Sequence, residues 1–491
     1  MKRNNILAIL LLTLAFTVLG FAVMGYHPGA EDDGVYLTAV KADLHPTLFP
    51  HDADFFREQS QATVFDGWMA NFVEATHIPV AWAELIWQFL SLFFILAACR
   101  SIAAQLFPEK RAQWAAVAMV SAMFTLPVAG TALYLADQHL HPRAVSTALI
   151  LIAVSRILGH KRWQALPLLI LAIVMHPIMG VLGISFCFFL ALSMMELVPL
   201  RLRAVGSTAA SFMPLGWIFD PPSPEWRQAL DTRTYYYLSR WAWYEWLGAL
   251  APLLLFWLLW RIASKRGETP LAHFSLAIFV YGLFQLIVAL VVLGVPALAR
   301  LMPMQPMRFL HLIYIFLCLS GGALLGRHLL QAKVWRWAVF LVLANGGMFY
   351  AQRQLFAGTE HLEFPSRASA NPWLQTFDWI KKNTPEDAYF ALDPRYMAAP
   401  GEDYHSFRAL AERSTLSDAI KDAAVVTQVP SLATIWENQQ AATAGWANFH
   451  LADFERLKSQ FGVDWVVVSY PPPDGLPCPW HNGSISVCRI P

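Results

Sequence analysis

Lys2-Arg3-Asn4-Asn5 leads into Ile6-Leu-Ala-Ile-Leu-Leu-Leu-Thr-Leu-Ala-Phe-Thr-Val-Leu-Gly-Phe-Ala-Val-Met24, and then into Gly25-Tyr26-His27-Pro28-Gly29-Ala30-Glu31-Asp32-Asp33-Gly34. The uncharged middle is close to the ~20 residues that cross a ~30 Å hydrocarbon core. The basic pair before it predicts a span with its start in the cytoplasm. No small-x-small cleavage site precedes Tyr26-His27-Pro28, so the run reads as a retained anchor rather than a signal peptide.

The same pattern recurs along the chain. Apolar runs lie at 6–24, 80–99, 114–136, 144–158, 164–180, 181–198, 204–219, 241–260, 272–294, 309–326 and 335–351. Basic clusters fall on alternate sides of these runs: Lys2-Arg3, Arg100 with Lys110-Arg111, Arg156 with Lys161-Arg162, Arg201 with Arg203, Arg261 with Lys265-Arg266, and Arg327 with Lys333 and Arg336. If every run crosses once, all six clusters share one face, which the positive-inside rule makes cytoplasmic. The expected fold is a polytopic α-helical membrane protein with about eleven transmembrane helices. Residues 1–351 form the transmembrane domain, and 25–79 a long first extracytoplasmic loop.

Composition agrees. The chain is 57% hydrophobic and 14% charged, against roughly 25% charged in soluble domains. Charge returns after about residue 352, so 352–491 is expected to be a small extracytoplasmic α/β domain. A net charge of +1 offers nothing to nucleic acid. In the tail, Asn371-Pro372-Trp373 opens a helix through Lys382, and Ala388–Leu392 reads as a strand. Leu451–Phe461 is an amphipathic helix closed by Gly462, and Val463–Ser469 is a strand apolar enough for a central position. Cys478 and Cys488 flank Asn482-Gly483, a two-residue hairpin signal, and are expected to form a disulfide in an oxidising compartment. Cys99, Cys187 and Cys318 read as small buried hydrophobes.

Chemistry-bearing residues concentrate on the non-cytoplasmic side. Glu31, Asp32 and Asp33 are adjacent, and three neighbouring carboxylates repel until one finds a cation, a metal or a proton. One of them is a candidate general base for a substrate hydroxyl; a hydrated acidic turn is the alternative. Asp52 and Asp54 are candidate ligands for a divalent cation, Mg or Mn, or else loop caps. Asp137-Gln-His139-Leu-His141-Pro-Arg143 offers an Asp137–Arg143 ion pair, with His139 and His141 to bind a polar head group or shuttle a proton; a tight hairpin whose polar atoms meet water is the alternative. His176-Pro177 either serves the same site or satisfies a freed carbonyl. His27, His45, His141 and His176 all precede proline. The segment 219–246, dense in Trp, Tyr and Arg, reads as an interfacial belt or a sugar-phosphate surface. Arg300 to Arg308 leads into the tenth span, and Arg308, with His311 one turn on, is a candidate to hold a lipid phosphate, or else an interface anchor.

This outline resembles the type C glycosyltransferase (GT-C) superfamily. The resemblance is carried by the single span leading to a long acidic loop, by Glu31-Asp32-Asp33, and by Met304-Gln-Pro-Met-Arg308-Phe309. The tail segments Asn371-Pro-Trp-Leu-Gln-Thr-Phe-Asp-Trp-Ile-Lys-Lys-Asn-Thr-Pro385 and Phe461-Gly-Val-Asp-Trp-Val-Val-Val468 add to it. It covers most of the chain as architecture, through short motifs. It implies a polyprenyl-phosphate sugar donor, an extracytoplasmic acceptor and a place in the inner (cytoplasmic) membrane. The loop carboxylate of the family maps to Asp32 or Asp33, with Glu31 a third option. Its phosphate-binding arginine maps to Arg308, supported by Arg143 or Arg300. The rival reading is a non-catalytic membrane protein that binds or assembles envelope components.

Overall fold

The computed structural model describes residues 2–195 and 219–491. The expected seventh span, 204–219, lies almost wholly outside the described residues, as do Arg201 and Arg203. Helix α1 (Lys2–Met24) enters the first loop, which folds into a tight turn (Glu31–Gly34) and helices α2 (Tyr36–Leu44), α3 (Asp54–Ser60) and α4 (Phe65–Thr76). Helices α5 (Val80–Leu106) and α6 (Lys110–Ala122) follow, then a hairpin of β1 (Pro127–Val128) and β2 (Leu133–Tyr134). The bundle continues with α7 (Pro142–Leu158), α8 (Arg162–Met175), α9 (Pro177–Ser193), the short α10 (Pro224–Asp231), α11 (Trp243–Lys265), α12 (Thr269–Gly294), α13 (Phe309–Leu325) and α14 (Val334–Leu355).

Among the described residues, five helices are long and apolar enough to cross a membrane: Ile6–Met24, Val80–Leu106, Trp243–Lys265, Thr269–Gly294 and Pro306–Leu330. The run 114–136 is not one helix. It stops at Ala122, because Pro127 and Gly130 divert the chain into the β1–β2 hairpin. At about 1.5 Å per residue, the 13 residues of α6 fall well short of a ~30 Å core. Gly130 has a φ of +64°, and a Cβ there would lie 2.1 Å from the Trp241 ring, so no side chain fits.

The tail forms one five-stranded sheet with helices around it. Its elements are α15 (Pro372–Asn383), β3 (Tyr389–Ala391), α16 (Phe407–Ala411), β4 (Ser414–Thr415), α17 (Lys421–Gln428), α18 (Ala433–Ala442), α19 (Leu451–Phe461), β5 (Trp465–Ser469), β6 (Trp480–His481) and β7 (Ile485–Arg489). The strand order is β4-β3-β5-β7-β6. β3 runs parallel to β4 and β5, and β7 antiparallel to β5 and β6. β5 is central: Val467 faces one core of the sheet, Val466 and Val468 the other. The β6–β7 hairpin turns on Asn482, whose Oδ1 accepts from Ser484 and Ile485 N–H, with Gly483 at φ +87°. Cys478 and Cys488 are joined as a disulfide. Asn371 caps α15 and also donates to the carbonyls of Gly358 and Gly401 at 2.9 and 2.7 Å.

The tail does not stand off the bundle. Ala423, Val425 and Val426 of α17, Trp436 of α18 and Leu432 between them belong to the same apolar core as Phe55 of α3 and Trp226 of α10. Backbone bonds join tail and first loop: Tyr26 N–H to His361 O, Glu363 N–H to Tyr26 O, Glu31 N–H to Tyr404 O and Ser406 N–H to Gly29 O. A buried triad reinforces this seam. Glu363 accepts from His27 Nδ1 at 2.6 Å and from His405 Nε2 at 3.0 Å, while His405 Nδ1 donates to Glu402 O at 2.9 Å. With both ring nitrogens donating, His405 is an imidazolium.

That triad sets a pH dependence. Burial opposes charge on both groups. At Glu363 the two histidines outweigh it and bring its carboxyl down to about 2. At His405 the Glu363 carboxylate outweighs it and raises the imidazole. The Glu363 contribution to stability is therefore complete above the unfolded value of about 4.3 and lost as pH falls toward 2. The His405 contribution is complete below about 6.5 and lost as pH rises through its raised folded value. Wild-type protein is expected to exceed Glu363→Gln in melting temperature most at pH 5–6, by margins that shrink at pH 3 and pH 9. A pH-independent difference in thermal melts would contradict this.

Candidate functional site

The histidine segment is built by helix capping. His141 is the N-cap of α7: its Nδ1 accepts from Arg143 N–H at 2.9 Å, and Pro142, which has no N–H to satisfy, takes the first helical position. His176 does the same for α9, accepting from Met179 N–H at 3.4 Å ahead of Pro177. This explains two of the four His-Pro pairs as caps. His27 instead joins the seam, and His45 ends α2.

Capping also fixes a tautomer. Because His141 Nδ1 accepts, its proton sits on Nε2, which lies 3.2 Å from Asp32 Oδ2 and donates to it. Burial, with Arg143 adding to it, lowers the His141 imidazole to about 4, so it is neutral at pH 7. Arg143 Nη2 donates to Asp137 Oδ1 at 2.6 Å, the expected ion pair, and leaves Nη1 unpaired among the described residues. Gln88 of α5 holds the Asp137 carbonyl at 2.7 Å. Both ring nitrogens of His139 are likewise unpaired there.

The acidic turn divides its three carboxylates. Glu31 takes a φ of +54°, with its N–H held by Tyr404 O. Glu31 Oε2 and Asp32 Oδ1 both accept from the ammonium of Lys421, in α17 of the tail, the latter at 3.2 Å. Burial works against the Asp32 charge, but Lys421 and His141 hold its carboxyl well below the usual carboxylate range. Its side chain nonetheless keeps 37% of its surface open, on the cavity side. Asp33 turns the other way. It is 1% exposed, accepts from Gly29 N–H at 2.8 Å and meets the buried Glu84 of α5. Burial and then Glu84 push its carboxyl up, so this pair holds a proton. Of the three candidate bases, Glu31 and Asp32 line the cavity and Asp33 does not.

The cavity measures about 840 Å³, within the usual range for small-molecule sites. Glu31, Asp32, His139, His141, Arg143, His176, Arg300 and Arg308 all line it. So do Arg233, from the segment 219–246 read as a belt or sugar-phosphate surface, and Lys421, which sequence reading did not single out. Arg308 ends the turn Pro306–Arg308, and its Nε is buried without a partner among the described residues. Arg300 lies over the Trp226 ring at 5.7 Å and donates to Asp220 O at 2.9 Å. Arg233 donates to Ile420 O. Arg143 and Lys421 have carboxylate partners; Arg308, Arg300 and Arg233 have none in reach among the described residues. Tyr36, Tyr134 and Tyr235 add aromatic surface.

No protein-family model and no curated protein matches the chain.

Two expectations are corrected here. Asp52 is not a metal ligand in waiting: it is 4% exposed, its Oδ2 accepts from Arg408 Nε and Thr415 N–H, and Arg408 also grips Asp422. Asp54 is an exposed carboxylate in the first turn of α3, where the helix dipole favours it. Among the described residues, no group of three His, Cys, Asp or Glu is placed to hold a metal ion. His311 does not act beside Arg308. It turns into the bundle, 1% exposed, against the Leu135 carbonyl at 3.1 Å. Lys421 carried no local signal: its bond to Asp32 spans 389 residues.

Proposed function

We propose that the chain is a polytopic inner-membrane protein, its N-terminus cytoplasmic and its first loop and tail extracytoplasmic. We infer that it transfers a sugar from a polyprenyl-phosphate donor to an extracytoplasmic hydroxyl acceptor. The observation that carries this is one cavity lined both by an accessible Asp32 and by carboxylate-free arginines.

In this reading the donor phosphate lies on Arg308, with Arg300 and the free Nη1 of Arg143 beside it. An acceptor hydroxyl approaches Asp32. Its oxygen forms a bond to the anomeric carbon as the carbon–oxygen bond to phosphate breaks, and that electron pair leaves on the phosphate, with inversion. The hydroxyl proton passes to Asp32. A carboxylate held by Lys421 and His141 is a weak base, so the transfer falls late, when the attacking oxygen has become acidic. The neutral His141 keeps Asp32 oriented without competing for the proton. Tyr36 and Tyr235 offer faces for the sugar ring.

The test is native mass spectrometry of the full chain purified in mild detergent with added polyprenyl phosphate. Wild type is expected to retain the lipid, and Arg308→Met to bind it about tenfold or more weakly, the loss of one charge-assisted contact. Equal binding by the two would remove the phosphate from this cavity.

A further inference from the structure

Three adjacent carboxylates need a counter-charge or a proton, and the turn uses both. Asp33 shares its contact with Glu84. Glu31 and Asp32 face the cavity and converge on Lys421. A pair of cavity-facing carboxylates with an imidazole beside them is otherwise a setting for a divalent cation.

We propose that Lys421 is the built-in cation of this site: its ammonium occupies the place between Glu31 and Asp32 that a divalent ion would take, so that the tail, rather than a metal, supplies their counter-charge. The catalytic consequence rests on the transferase reading; the charge assignment does not.

Three observations carry it. First, Lys421 is held there by its neighbours. Asp418 Oδ1 accepts from the N–H groups of Ile420 and Lys421, the Ile420 carbonyl is taken by Arg233, and Asp422 is clamped by Arg408. The side chain is 13% exposed, so the ammonium sits in the wall and not in bulk water. Second, both Asp32 oxygens are engaged, Oδ1 by Lys421 and Oδ2 by His141, and Glu31 adds Oε2 to the same ammonium. Third, His141 cannot complete a metal site. Its Nδ1 accepts the Arg143 N–H and its Nε2 carries the proton, leaving no free lone pair for a metal. The ammonium also has a third N–H, which makes Lys421 a contact for an anionic ligand as well as a partner of the acids.

The test is Mn²⁺ binding to the full-length protein in detergent, read from the free-ion EPR signal. Wild type and Lys421→Arg are expected to bind at least about tenfold more weakly than Lys421→Met, which keeps the stem but frees two like charges. The uptake by Lys421→Met is expected to vanish in Lys421→Met/Glu31→Gln. Lys421→Gln serves as the second variant if Lys421→Met melts early. Wild-type uptake that equals Lys421→Met and is lost in Glu31→Gln overturns the proposal, and so does a folded Lys421→Met that takes up no Mn²⁺. In a transfer assay, wild-type rates in EDTA are expected to stay within about twofold of those without it, because the fixed ammonium needs no exchangeable ion; a loss restored by Mn²⁺ also overturns the proposal. A wild type with no transfer under any condition defeats the transferase reading and leaves the Mn²⁺ result standing.

Discussion

In the proposed transferase, Asp32→Asn is expected to reduce sugar transfer by about two to four orders of magnitude, the usual worth of a positioned proton acceptor, while Asp33→Asn keeps most of it. The two residues are neighbours of identical chemistry, so the contrast isolates geometry. Asp32 opens on the cavity and keeps its charge through Lys421 and His141. An asparagine there keeps the shape but accepts no proton. Asp33 is buried against Gly29 N–H and Glu84, and the pair already holds a proton. An asparagine there accepts from Gly29 with its oxygen and donates to Glu84 with its amide, so the turn survives. The measurement is the amount of modified envelope glycan, lipid or protein in cells carrying each variant at equal expression. Equal loss in both, or none in Asp32→Asn, defeats the assignment. Because the folded carboxyl of Asp32 lies well below the usual range, its charge persists on acidification. The rate is expected to show no Asp32 protonation between pH 8 and 5, with losses only below about 3.9.

Arg408→Met is expected to be the most destabilising single change in the tail, at about 3–5 kcal/mol. Arg408 is 4% exposed and bonds to Asp52 of the first loop and, through both terminal nitrogens, to Asp422 of α17. Methionine fills similar space but strands two buried carboxylates whose remaining partners are backbone N–H groups of Thr415 and Asp418. The cost is the uncompensated charge rather than the lost packing. Unfolding of purified protein followed by denaturant titration gives the figure. The triple variant Arg408→Met/Asp52→Asn/Asp422→Asn is expected to regain more than half of it, since neutral amides tolerate burial. A single variant within about 1 kcal/mol of wild type would show that the cluster is solvated in practice. Because Asp422 follows Lys421, the same substitution is also expected to loosen the ammonium from Asp32.

How much of this was readable in the sequence depends on distance along the chain. Apolar runs, the α15 start at Asn371-Pro372, the α19 stop at Gly462, the Val466–Val468 strand and the Cys478–Cys488 hairpin follow from rules that act within a few residues: burial period, capping, turn chemistry. The Asp137–Arg143 pair belongs with them, because one short connection holds both partners. Local rules failed where two of them competed. The run 114–136 is uncharged throughout its length, yet Pro127 and Gly130 end the helix, and the backbone won over hydropathy.

The site itself needed the tertiary structure. Sequence placed Glu31, Asp32 and Asp33 side by side and required that the repulsion be relieved; it could not say by what. The fold answers with Lys421 for two of them and Glu84 for the third. It likewise turned Asp52 from a ligand candidate into half of a buried clamp with Arg408, a contact 356 residues apart in the chain. Charge is long-ranged and indifferent to sequence separation, whereas the signals of helix, strand and turn are local. So the chain announced its apolar spans, its acidic loop and its α/β tail, and only packing the tail onto the loop decided which carboxylate faces the cavity, and with what charge.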